Sequence, residues 1–176
     1  MRPSTAYFMM FAASVLASAC GGDASSAPGS PAGAAFARAQ SRESLPFRGT
    51  ITTADRGVVV PPNLLVIGTA EGTATHLGRY TAIIEAVAPL GQSTATGSYV
   101  FTAANGDRFT ATFVGSAAPA EAGGLRFTEV LTIVSGTGRF TGATGTFAMS
   151  KLVFVDAASG TSTGSGTMEG TIVLDR

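Results

Sequence analysis

The side chain best placed to do chemistry in this 176-residue chain is a carboxylate, Glu129. In an extended strand successive side chains point to opposite faces. Leu125, Phe127, Glu129, Leu131 and Ile133 therefore share one face, and Arg126, Thr128 and Thr132 take the other. A carboxylate on an apolar face must be ion-paired, hydrogen-bonded or shifted in pKa, and groups held that way are functional candidates. Arg79, Arg108 and Arg126 are candidate partners, although Arg126 lies on the opposite face of its own strand. Two plainer placements stay open: a wet barrel mouth, or an apolar face that points outward. Glu85 has apolar neighbours on both faces of its strand, Ile83 and Val87 on one and Ile84 and Ala86 on the other, so its direction is open and a solvated position is expected. Tyr99, Phe101, Phe109 and Phe113 form an aromatic group that serves either as core or as the lining of a pocket for a small apolar ligand.

Little else points to catalysis. His76 is the single histidine, and any Ser-His-Asp arrangement would have to use it. No motif orients a serine toward it, and its place before Leu77-Gly78 suits a polar residue at a strand end. Nucleophile-elbow, phosphate-loop and metal-binding motifs are missing from the sequence. One cysteine rules out an internal disulfide and a Cys/His zinc site. No metal or cofactor is expected. Eleven basic residues balance eleven acidic ones, so no electrostatic footprint for nucleic acid is present.

The lone cysteine, Cys20, has a distinctive setting. Met1-Arg2 is a short positive stretch, and Ala6 to Ala19 is almost wholly apolar, too short for a comfortable membrane span and suited to a signal peptide. The run ends in Leu16-Ala17-Ser18-Ala19-Cys20, which resembles a bacterial lipobox. That resemblance implies cleavage before Cys20, acyl chains on its thiol and a membrane anchor. With Gly21 following, it also implies the outer membrane where the host has one. Ordinary secretion, with cleavage after Ala17-Ser18-Ala19 and a free Cys20 thiol, is the rival reading.

Residues 20–44 then read as a lipid-anchored tether, because Gly, Ser, Ala and Pro dominate and no burial periodicity exists. From residue 45 to 176 short runs of Val, Ile, Thr, Phe and Tyr recur about every ten residues, the texture of an all-β domain. Strands are expected near 47–53, 63–75, 79–87, 99–103, 109–113, 125–134, 146–155 and 166–174, with Asn105-Gly106 making a tight type I′ turn. With no helix to carry parallel crossovers, the sheet should be antiparallel. Interior glycines such as Gly68, Gly72 and Gly170 permit sharp coiling, which favours a single barrel of about eight strands over a β-sandwich. Phe109, Phe113, Phe127, Leu131 and Phe140 are expected to be buried together.

The stretch Ser135-Gly-Thr-Gly-Arg-Phe-Thr-Gly-Ala-Thr-Gly145 resembles the GGTGxFxxAxG signature of the allene oxide cyclase and dirigent proteins, with Ser135 in place of the first glycine. The segment Gly72–Arg79 and the TxANGD hairpin, Thr102–Asp107, resemble elements of uncharacterised bacterial proteins with the same Gly-Thr-Gly-Arg-Phe turn. The likeness spans about the last 110 residues and implies an eight-stranded antiparallel barrel. In the turn, Gly136, Gly138, Gly142 and Gly145 should take positive φ while Phe140 plugs the barrel end. No catalytic residue of the family maps onto this chain.

Two functions fit these features. The leading one is an exported lipoprotein with a non-catalytic barrel, structural or binding a small apolar ligand; the alternative is a cyclase- or dirigent-like catalyst that uses a shaped cavity and one carboxylate. The first test concerns the anchor. Metabolic labelling with a fatty-acid analogue should mark the wild-type chain, and Cys20→Ala should abolish the label; unchanged labelling of the variant refutes the anchor.

Overall fold

The computed structural model describes residues 42–175; the expected signal peptide, Cys20 and the tether up to residue 41 lie outside the described residues. Eight strands follow in order: β1 (Glu43–Val60), β2 (Asn63–Ala74), β3 (Gly78–Pro89), β4 (Thr94–Ala103), β5 (Arg108–Pro119), β6 (Leu125–Gly136), β7 (Thr144–Asp156) and β8 (Thr161–Leu174). Each pairs antiparallel with the next and β8 pairs with β1, so the sheet closes into a barrel with no free edge. β1 starts at Glu43, two residues ahead of the expected domain boundary, and runs on to Val60.

The inner face is mainly apolar, and the outer face mixes threonines with exposed aliphatic side chains such as Ile67, Ile83, Val114 and Val130. On β5, Phe109, Ala111 and Phe113 are buried, while Arg108 and Thr112 are exposed. One end of the barrel is filled by aromatic rings. Phe47 packs on Phe147 with centroids 4.7 Å apart, Phe101 on Phe109 at 4.8 Å and Phe109 on Phe140 at 5.3 Å. Phe140 belongs to a short 3-10 turn, Gly138–Phe140, between β6 and β7, and it is fully buried. It closes the end at which β1 begins and β8 finishes.

Two turns differ in detail from expectation. Among Ala104, Asn105, Gly106 and Asp107 only Gly106 has positive φ, at 88°. The hairpin is therefore a three-residue loop with glycine in the left-handed position, not a type I′ turn; Gly106 N–H donates to the Ala103 carbonyl and Ala103 N–H to that of Asp107. In the Ser135–Gly145 turn, Gly138, Gly142 and Gly145 take positive φ, whereas Gly136 does not. Gly136 serves by close approach, since a Cβ there would collide with the Phe140 backbone.

If Phe140 is the plug, Phe140→Ala should lower unfolding free energy by about 3–5 kcal/mol, as large aromatic truncations in cores do. Thr132→Ala, on the exposed outer face of β6, should change it by less than about 0.5 kcal/mol. Denaturant melts of the two variants test this directly.

Candidate functional site

The other end of the barrel is not filled. A cavity of about 300 Å³ occupies it, walled by Val59, Leu64, Val66, Ala86, Ala95, Phe113, Leu125, Phe127 and Val155. Its rim residues Val59 and Val155 are exposed although they sit on inward-pointing positions, so this end is the mouth. Midway along the barrel the cavity meets a floor made of four polar side chains: Asp55 from β1, Tyr99 from β4, Glu129 from β6 and Lys151 from β7.

Cross-strand register explains how such bulky groups fit inside. Glu129 lies opposite Gly115 of β5, Lys151 opposite Gly166 of β8, and Asp55 opposite Gly68 of β2. A Cβ on Gly115 would sit 2.7 Å from the Glu129 Cγ, and one on Gly68 would collide with the Asp55 carboxylate. The glycines are notches that seat the two carboxyl groups.

Three of the four floor residues form one buried network. Lys151 Nζ lies 3.0 Å from Glu129 Oε1 and donates to Tyr99 Oη at 2.6 Å. Tyr99 Oη in turn donates to Glu129 Oε2 at 2.9 Å. Both carboxylate oxygens of Glu129 are thus satisfied, which is the condition for holding a charge pair inside a barrel. Burial, reinforced by the adjacent Glu129 carboxylate, pushes the Tyr99 phenol well above its ordinary pKa, so it stays protonated and donates.

Asp55 is held differently. Its Oδ2 accepts from Thr53 Oγ1 at 3.0 Å. Its Oδ1 is enclosed and is the one buried side-chain polar atom without a hydrogen-bond partner among the described residues. Desolvation raises its pKa; the Thr53 hydrogen bond and the Lys151 charge pull the other way but do not compensate.

Glu129 is inward-facing and Tyr99 and Phe113 stand beside it at the cavity, as their strand faces predict. None of Arg79, Arg108 and Arg126 pairs with Glu129; Arg126 is outside, with its guanidinium 3.4 Å from Ser150 Oγ. Phe101 and Phe109 do not line the cavity: they lie further along their strands, inside the aromatic plug. Phe127 is not buried with Phe109 and Phe140 but half-buried on the cavity wall, because its side chain stands on the mouth side of Glu129. Glu85 is exposed, and His76 sits in the β2–β3 turn against the Pro46 carbonyl at 3.1 Å. Lys151 and Asp55 were not anticipated. Lys151 could have been found from the alternation Phe147, Met149, Lys151, Val153, and Asp55 from Ile51, Thr53, Asp55, had the strand been carried through Ala54-Asp55-Arg56-Gly57.

Among the described residues no group of three or more His, Cys, Asp or Glu is placed to hold a metal ion. Comparison with protein-family models, curated proteins and solved structures finds no match.

Because folding raises the Asp55 pKa, the native state holds a proton that the unfolded chain releases. Stability from this group is therefore fully present below the ordinary aspartate pKa and is lost as pH rises through the folded value. Asp55→Asn, which keeps the shape and removes the charge, should raise the melting temperature at pH 7. The advantage should shrink toward zero on acidification to about pH 3–4, the range of an unperturbed aspartate. Thermal melts across that range check both the sign and the window.

Proposed function

We propose that the chain is an exported lipoprotein whose barrel binds a small apolar molecule without transforming it. The observation that carries this reading is the cavity of about 300 Å³, with mainly apolar walls and a polar floor. Binding sites for small molecules have this character: concave, mostly apolar, with a few convergent polar groups. The Asp55 carboxyl supports it further, since a desolvated, half-satisfied acid is unfavourable for folding and is expected to be kept for use.

The lipobox at Cys20 supplies the anchor in this reading, acyl chains hold it to the cell envelope, and the partner inside the barrel is the apolar ligand. β1 begins at the plugged end, and the mouth is at the far end of the barrel. The glycine-rich Ser135–Gly145 turn, which seats Phe140 in the plug, supports kinship with the allene oxide cyclase and dirigent barrels. A catalyst of that kind is the weaker reading: the Tyr99 proton is engaged by Glu129 and firmly held, so the phenol is a poor acid.

Calorimetric titration of the full-length chain with 1-octanol, a neutral apolar probe, should show saturable 1:1 binding. Ala86→Trp, and independently Ala95→Phe, should abolish it by filling the cavity while circular dichroism stays β-rich. Binding that persists in both folded variants would place the ligand elsewhere.

A further inference from the structure

The composition of the cavity floor selects the head group of the ligand. We propose that the site takes an alkylammonium, an apolar body ending in a protonated primary amine, with the ammonium on Asp55. This rests on the ligand-binding reading above and narrows it.

Three observations lead there. First, the Asp55 carboxyl lines the cavity floor with a single hydrogen-bond donor, Thr53 on Oδ2, and with Oδ1 seated without a partner in the Gly68 notch, so the group keeps capacity for a ligand donor. Second, two carboxyl groups, Asp55 and Glu129, face the cavity against one basic group, Lys151. Lys151 is already committed to Glu129 and Tyr99, so nothing basic in the lining is left to pair Asp55. A bound cation balances the floor. A bound carboxylate would set a third anionic group beside Asp55 and Glu129 in a partly dry site, where uncompensated charge is costly. Third, aromatic rings flank the floor. Lys151 Nζ already lies 5.3 Å from the Tyr99 ring and 5.9 Å from that of Phe127, so the negative faces of these rings are turned toward positive charge. An alcohol answers the first observation only, and a fatty acid answers none.

The discriminating experiment titrates the full-length chain at pH 7 with octylammonium, 1-octanol and octanoate, which share a chain length and differ in head group. Octylammonium should bind about tenfold or more tighter than 1-octanol, the gain of a charge-assisted over a neutral hydrogen bond. Octanoate should bind more weakly than either. Asp55→Asn, expected to fold at least as well as wild type, should lose the preference for octylammonium over 1-octanol. Equal binding of octanol and octylammonium, or a preference that survives Asp55→Asn, overturns the ammonium assignment while leaving an apolar cavity that binds. Octylammonium binding that survives Ala86→Trp is adsorption to the surface and also overturns it. Failure of all three probes overturns the ligand-binding reading itself.

Discussion

A closed eight-stranded barrel encloses a fixed cross-section, and every inward side chain must be matched by space on the strand opposite. That volume constraint governs the whole molecule. At the plugged end it is met by aromatic rings packed in tilted and edge-to-face pairs, with Phe140 brought in from the β6–β7 connection to complete the layer. In the middle it is met by pairing a long polar side chain with a glycine: Asp55 with Gly68, Glu129 with Gly115, Lys151 with Gly166. At the mouth the inward residues are mostly aliphatic and too small to meet across the lumen, and the cavity is what remains. One constraint met in three ways produces plug, floor and pocket in sequence along the axis.

This also clarifies what the glycines do. Interior glycines suggest a tightly coiled sheet, and the barrel agrees, but Gly115 and Gly68 have a more local role. A side chain at Gly115 would displace Glu129 from its network, and one at Gly68 would displace Asp55. Site and scaffold are therefore not separable on the inner face.

The fold was legible because its signals are local. Alternation over Ser98–Val114 and Leu125–Val134 specifies the hairpin and the next strand, and an inner face on one strand forces inner faces on its neighbours. Glu129 was legible for the same reason: a charged residue interrupts an otherwise apolar period-two row. Its partner was not, because a diagonal pair between neighbouring strands depends on their register, and Lys151 stands on the adjacent strand one inward position away from the residue opposite Glu129. Asp55 was hidden by local chemistry. Ala54-Asp55-Arg56-Gly57 has the composition of a turn, and only pairing with β2 on one side and β8 on the other holds it extended. Tertiary pairing outweighed local preference at the very residue whose half-satisfied carboxyl lines the cavity floor.

Stability and binding pull on the floor in opposite directions. A buried ion pair with all its hydrogen bonds made is about neutral relative to apolar replacements, whereas breaking one partner away costs about 3–5 kcal/mol. Lys151, Glu129 and Tyr99 therefore tie one another down, since loss of any one strands the others. Asp55 is outside this bargain. Its nearest hydrogen bond comes from Thr53, two residues away on its own strand, and its second oxygen is unmet. A barrel selected for stability alone would carry an uncharged residue there, and nothing in the packing of β1 against β2 and β8 requires a carboxyl group. The network gives the floor rigidity, and Asp55 gives it an unmet demand. A site that recognises one polar end of an otherwise apolar molecule needs both.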